Sequence, residues 1–355
     1  MKARIIDVTD GLEALRGAWG RLEPGAVSPM QQFIWAQACA SALTREGELR
    51  VLVVEEGEEA VAIAPLVHHN GKPCLEMLGV AELSEPTDVL CADRGALPTL
   101  AAAMLDLGAP LYLQRVPADS LVPDVLEKSF RGRGALFCTR DNSWPFIPLD
   151  SSWVKPESHL NAGRRSDLRR SQRIAAEMGP VSSEVLSPVP STLAPLLEEA
   201  FAVEAASWKG EDKSAMALDP TRGAFYRHYA AAACEKGILR LCFLRIGGQA
   251  AAMQMAIESG GRLWLLKIGY DRRFAHCSPG ILLLRETLRY AAVRGLSSLE
   301  FLGTAEPWIR AWTWRERPCV AIRWYPFGLR GINTLMNDTV TSLWNKLARM
   351  RLLRA

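Results

Sequence analysis

The sequence predicts a mixed α/β protein made of two similarly folded halves, each a mostly antiparallel sheet flanked by helices. Three observations carry this. Leu49–Gly79 (LRVLVVEEGEEAVAIAPLVHHNGKPCLEMLG) aligns without a gap on Leu239–Gly269 (LRLCFLRIGGQAAAMQMAIESGGRLWLLKIG) at an offset of 190 residues. Each copy reads as a three-strand meander, with a Gly turn after the first strand and another after the second. The flanking patterns also agree: helices before each meander, then a helix and one more strand after it.

In chain order, helical patterns cover Gly11–Leu22 and Gln31–Leu43 before the first meander, and Leu97–Leu107 with strand Leu111–Val116 follows it. A strand at Trp144–Leu149 closes this half, and the boundary falls near Asp150–Pro156. The expected domains are residues 1–150, residues 151–330 and a tail, residues 331–355. In the second half, helices at Thr192–Trp208 and Arg222–Lys236 precede the meander, and helix Gly280–Arg294 and strand Ser297–Leu302 follow it. His159–Gly179 reads as a helix carrying Arg164, Arg165, Arg169, Arg170 and Arg173 on one broad face. That face is either solvated or set against a polyanion. Ile332–Leu353 reads as an amphipathic helix with Ile332, Leu335, Met336, Leu343, Trp344, Leu347 and Met350 on one side. Lys346, Arg349, Arg351 and Arg354 make its end basic, so it either packs on the domain or touches a membrane surface.

The halves differ at one place. After Leu265–Tyr270 the second copy runs DRRFAHCSPGILLL, a basic turn opening directly into a helix. Ser278 is read as N-cap, Pro279 as the first helical residue, and Gly280 as a point of close approach. Free N–H groups and the positive helix end make an anion site there, with pyrophosphate as the expected guest. The candidate contacts are Arg272, Arg273, Cys277, Ser278, Pro279, Gly280 and Ile281, with Cys277 expected to be partly exposed. The first copy continues VAELSEPTDVLCADRGALP, which is acidic and repels an anion. The second half therefore takes the cofactor, and the first is scaffold and cleft wall.

Composition bounds the rest. The chain has 355 residues, 49% hydrophobic and 23% charged, with a net charge of +3. This is globular composition, without the charge excess of wholesale nucleic-acid binding. The eight cysteines form no CxxC pair and have no His at metal-ligand spacing, which argues against zinc and disulfides and fits a reducing cytosol. Neither a secretory leader nor a spanning helix is read from the sequence. The expected location is cytoplasmic, with the inner-membrane surface as a peripheral site.

The run GYDRRFAHCSPGILLLRETLRYAAVRG, then LEFLGTAEPWIRAWTW, resembles the C-terminal domain of GNAT-superfamily acyltransferases associated with cellulose biosynthesis. These are related to Fem-type transferases, which carry two GNAT-like domains in tandem. SEPTDVL and RRSDLRRSQRIAAEMG also look like family segments. The resemblance implies two tandem GNAT-like domains and acyl transfer from acyl-CoA, as co-substrate, to an amine. It places the cofactor pyrophosphate at Arg272–Gly280 and the pantetheine arm between splayed strands near Leu265–Tyr270 and Leu299–Gly303. Family members often carry a tyrosine and a lysine after Glu-Pro. Here Trp308 and Ile309 stand there, with Arg310 next, so no lysine role carries over.

Such transfer needs a neutral amine, a group to take its proton, and donors for the oxyanion. Glu306, after the strand Leu299–Leu302, is the first choice of base; alternatively it pairs with Arg310 at i+4 and caps a turn. His276 and Asp271 are reserves: His276 could instead bind phosphate, and Asp271 could instead hold Arg273. Tyr270 is a proton donor to the thiolate, a hydrogen-bond partner of the acceptor, or structural. The expected acceptor is a small amine or an envelope precursor such as an amino sugar or amino lipid. Two other classes stay open: a Fem-like aminoacyl-tRNA-dependent transferase, and an inactive binding protein.

Overall fold

The two copies of the repeat fold alike. The computed structural model describes residues 1–7, 9–207 and 219–352, with side chains except those of residues 9–10 and 342–352. The first half runs β1 (Lys2–Ile6), α1 (Thr9–Glu13), α2 (Arg16–Leu22), α3 (Phe33–Leu43), β2 (Leu49–Glu56), β3 (Glu59–Val67), β4 (Leu75–Met77), α4 (Val80–Leu83), β5 (Leu90–Cys91), α5 (Leu97–Asp106), β6 (Leu111–Pro117), α6 (Val122–Phe130) and β7 (Gly134–Pro148). The second runs α7 (Ala162–Met178), β8 (Val181–Leu186), α8 (Pro190–Ala205), α9 (Pro220–Glu235), β9 (Leu239–Ile246), β10 (Gln249–Ser259), β11 (Arg262–Tyr270), α10 (Pro279–Val293), β12 (Ser298–Glu300), β13 (Glu316–Pro326) and α11 (Leu329–Leu352).

Strands β2 and β9, and β3 and β10, start 190 residues apart, as the repeat requires. The shared turn glycines have positive φ: +65° at Gly57 and +57° at Gly247, then +83° at Gly71 and +67° at Gly261. Only glycine enters that region without strain, which is why both turns are legible in sequence. In each half the meander is antiparallel and the strand after the crossover helix is parallel, β6 beside β4 and β12 beside β11.

The two sheets join into one, ordered β1-β2-β3-β4-β6-β13-β7-β12-β11-β10-β9-β8, with β5 on β3. The joint is a reciprocal exchange. From the second half, β13 inserts between β6 and β7 of the first, pairing Trp324 with Leu111 on one side and Leu136 on the other. In return the end of β7 lies beside β12, pairing Ile147 with Leu299. Residues 316–326, placed by sequence in the second domain, thus complete the sheet of the first. At the crossing, Glu300 is fully buried. It accepts from Arg317 Nη2 at 2.8 Å, Trp144 Nε1 at 2.9 Å and Ser298 Oγ at 2.7 Å. Three strands are pinned by one carboxylate.

The halves also share a core. Trp35 of α3 meets Phe225 and Tyr229 of α9 edge-on at 4.9 Å. Central strands are buried on both faces, so they read as apolar runs rather than alternations. The edge strands β1 and β8 are short and carry exposed charged or hydroxyl residues (Lys2 and Arg4; Ser182 and Ser183), the usual protection of a sheet edge, and neither strand was read from the sequence.

Some expected elements differ. The helix read over Gly11–Leu22 breaks into α1 and α2. The expected strand Trp144–Leu149 is the end of the much longer β7. The end of the expected helix Thr192–Trp208, at Trp208, lies outside the described residues. The tail helix packs on β13, with Asp338 bonding Arg323 at 2.7 Å and the Tyr325 hydroxyl at 2.6 Å. Of its expected apolar face, Ile332 and Met336 are exposed and Leu335 is half-buried, while Thr334 is buried instead. Leu343, Trp344, Leu347, Met350 and the basic end lie outside the described side chains.

Candidate active site

The site begins where two strands part. β11 and β12 pair only from Arg262–Ser298 to Trp264–Glu300. Beyond that point Leu265–Tyr270 stays with β10 while the other chain turns away, opening a wedge. The β10–β11 register slips between Ala256–Leu265 and Met255–Lys267, so Leu266 is an extra residue in the ladder. Such a bulge re-aims the side chains that follow and frees backbone groups from pairing. Leu302 holds the far lip of the wedge at φ +63°, its carbonyl gripped by Arg115 Nη2 of β6 at 2.6 Å.

At the end of β11 the chain makes a 3-10 turn, Arg272–Cys277, and enters α10 at Pro279. Ser278 stands at the N-cap position but is left-handed, φ +49°, and its side chain makes no cap bond. The expected Ser278 cap is therefore corrected: its carbonyl, not its hydroxyl, starts the helix, accepting from Ile281 at 3.0 Å. Gly280 matters through what it omits. A Cβ there would meet nothing nearer than Tyr270 Cδ1 at 3.9 Å, so the helix end is open to a ligand.

Helix α7 lies across this turn, its N-cap Asn161 accepting from the Arg164 amide at 2.9 Å. Between them is a cleft of about 380 Å³. Arg164, Asp167 and Arg170 line one side; His276, Ser278 and Ile281 the other; Trp308 and Trp312 close it. Of the basic face, Arg165 turns back to the Leu160 carbonyl at 2.7 Å, and Arg173 lies 3.8 Å from Glu177. Two arginines, an imidazole and a helix N-terminus converge on one volume, which suits a polyphosphate.

The predicted residues sort as follows. Tyr270 is half-buried at the wedge, and His276 is exposed in the cleft. Asp271 accepts from the Arg273 amide at 2.9 Å and from its guanidinium at 2.9 and 2.6 Å. Those bonds hold its carboxyl below the usual carboxylate range, so Asp271 is a turn cap and not a base at neutral pH. Arg273 is committed to it. The Arg272 amide donates to the Ala206 carbonyl at 3.3 Å, fastening the turn to the end of α8. Cys277 is fully buried, contrary to its expected exposure; its thiol donates to the Phe274 carbonyl at 3.1 Å, and burial pushes its pKa up. Its side chain faces the core, so no cofactor contact comes from it. Pro279 is buried and Ile281 is at the cleft wall. Glu306 is exposed on the loop after β12. The Glu306–Arg310 ion pair does not form: Arg310 bonds Glu316 and stacks 4.9 Å from the Trp314 ring, while the Glu306 carbonyl accepts from Ile309 at 3.0 Å.

Sequence reasoning missed Glu85, Arg115 and Lys267, whose convergence exists only in the fold. The positive φ of Arg115, +55°, has no signature in residue type.

Comparison with known proteins agrees with this geometry. Residues 162–310 match the family model of the GNAT acetyltransferase domain. No curated protein sequence matches the chain significantly. Among solved structures, it resembles the C-terminal domain of a candidate lysylphosphatidylglycerol synthetase from Agrobacterium fabrum. That match has 13% identity, TM-score 0.56, and 93% of this chain and 96% of that one covered. It also resembles FemX, at 12% identity and TM-score 0.55, covering 92% and 98%. A tandem GNAT protein from the clavulanic acid biosynthesis pathway matches at 13% identity and TM-score 0.50, covering 92% and 99%. These likenesses fix the fold as tandem GNAT-like. The match to a GNAT acetyltransferase domain spans residues 162–310, and together with the tandem GNAT-like fold it supports an acyltransferase.

Proposed function

We propose that the protein transfers an acyl group from acyl-CoA to an amine. The observation that supports this best is the continuity of wedge and cleft. The strands part at Trp264 and Glu300, and β11 then leads into an open helix start faced by Arg164 and Arg170. A pyrophosphate in the cleft would be held by His276, the two arginines and the α10 N-terminus. A pantetheine arm would then have the unpaired edge of β11 to follow. The test is calorimetric titration with acetyl-CoA. Wild type is expected to bind, and Gly280→Glu to weaken binding at least about 100-fold, about 2.8 kcal/mol. Equal affinities, or no binding by wild type, would reject the reading.

The acceptor in this reading is an amine presented at a membrane surface, as in an amino lipid or a membrane-bound amino sugar. Support comes from the exposed row Phe327, Leu329, Ile332, Met336 and Val340 on and before α11. Lys346, Arg349, Arg351 and Arg354 follow in the sequence, each worth about 1 kcal/mol beside an anionic leaflet. The full chain is expected to co-sediment with phosphatidylglycerol-containing vesicles at low salt. Failure to do so would leave a soluble amine as acceptor.

A further inference from the structure

We propose that Glu85, a residue of the first half, is the catalytic base of the second half's acyl transfer. The inference rests on the acyltransfer reading above and assigns its proton acceptor.

The placement is specific. Glu85 follows α4 directly after Ser84, which caps that helix in a left-handed conformation at φ +58°. Glu85 is half-buried as a residue, but Oε2 is sealed from solvent with no hydrogen-bond partner among the described residues. A buried carboxylate oxygen without a donor is costly, and such groups cluster at functional sites. Its charged neighbours come from both lips of the wedge. Lys267 stands on β11 just past the Leu266 bulge, its Nζ 4.9 Å from the Tyr226 ring centroid. Arg115 holds the Leu302 carbonyl on the opposite lip, and its own Nε is buried without a partner among the described residues. Both cations act on Glu85 through space, and neither is within ion-pair distance of it among the described residues. Tyr226, on α9, also feels Glu85: burial, then the charges of Glu85 and Glu204, raise its hydroxyl well above its ordinary value.

The result is a carboxylate whose two protonation states are close in energy. Burial pushes its pKa up, and Lys267 and Arg115 pull it back, leaving it at about 7. That is the range a general base needs. Glu306, by contrast, is exposed on its loop, and Asp271 is held as a carboxylate by Arg273. The step balances without another reactant. The neutral amine nitrogen attacks the thioester carbonyl carbon and forms the C–N bond. Glu85 takes one proton from that nitrogen. The C–S bond breaks, and the proton passes to the departing sulfur, giving amide, free CoA thiol and the carboxylate again.

The test compares wild type, Glu85→Gln and Glu306→Gln as full chains, with acetyl-CoA and a panel of primary alkylamines, read by thiol release. Calorimetry with acetyl-CoA runs in parallel. Glu85→Gln is expected to lower turnover by roughly 10²-fold or more and to lose the inflection near pH 7 that wild type shows beyond the protonation of the amine itself. Acetyl-CoA affinity should stay unchanged. Undiminished alkylamine turnover in Glu85→Gln, or a loss confined to Glu306→Gln, overturns the assignment. Unchanged binding in that case leaves the acyltransfer reading intact, whereas no acetyl-CoA binding by wild type removes that reading itself. If no amine in the panel reacts, infrared titration replaces turnover. Wild type must then show a carboxyl band titrating near 7 that Glu85→Gln lacks and that acetyl-CoA shifts; its absence overturns the inference.

Discussion

The two crossovers, β4 to α5 and β11 to α10, start from the same repeat and end differently. In the second half, β11 runs nine residues and one 3-10 turn delivers the chain to α10. In the first, β4 is only three residues long, and the path to α5 passes through α4, β5 and a further turn. Before α5 that last turn is capped by Asp93, whose side chain accepts from the Gly95 amide at 3.1 Å. A carboxylate thus stands near the helix start that its counterpart leaves open to an anion. The longer path is also what carries Glu85 to the other half's wedge. In the proposed reading the second copy holds the ligand and the first forms part of its wall. Duplication would then yield a division of labour between halves rather than two active sites.

The comparison is tested most severely at the seam. If the halves are one cooperative body, Glu300→Ala should remove about 3 kcal/mol from both together, because it leaves Arg317 without its buried partner. Chemical denaturation should stay a single transition with a lower midpoint. Two separated transitions would make the halves independent. Next in size is the contrast between Gly280→Glu and Pro98→Glu, which place the same charge in the first turn of α10 and of α5. The first should cost the roughly 100-fold in acetyl-CoA affinity given above, and the second, exposed and far from the cleft, nothing measurable. A loss in both would place a ligand in each half. The smallest effect is expected at Asp271. Its folded pKa is depressed, so its contribution is present above the unfolded value of about 4 and disappears as pH falls through the folded one. Arg273 is mostly exposed. Asp271→Asn should therefore cost under about 1 kcal/mol at pH 7 and match wild type near pH 2 in thermal melts.

What could be read from the sequence was what local chemistry dictates. The turn glycines and the start of a helix at Ser-Pro-Gly are short-range constraints, and both appear where expected, although Ser278 caps through its carbonyl. Asp271 was legible as a partner of Arg273 because the two are only two residues apart. The exchange of β7 and β13 was not legible, since strand pairing between Leu136 and Trp324 leaves no mark in either segment. Cys277 was misplaced because a turn exposes some residues and buries others by an orientation that spacing does not encode. Glu85 was hidden for a similar reason: its neighbours Lys267 and Arg115 belong to strands distant in sequence.

The exchanged strand also sets an order of events during synthesis. β6 ends at Pro117 and waits beside β7, yet the strand that must lie between them begins only at Glu316. Until then the growing chain carries two unsatisfied strand edges, which are templates for wrong pairing with other chains. The first half to emerge from the ribosome is thus among the last parts to be finished. A message cut short after Trp312 would yield a chain that has every lining residue of the cleft and still cannot close its first sheet.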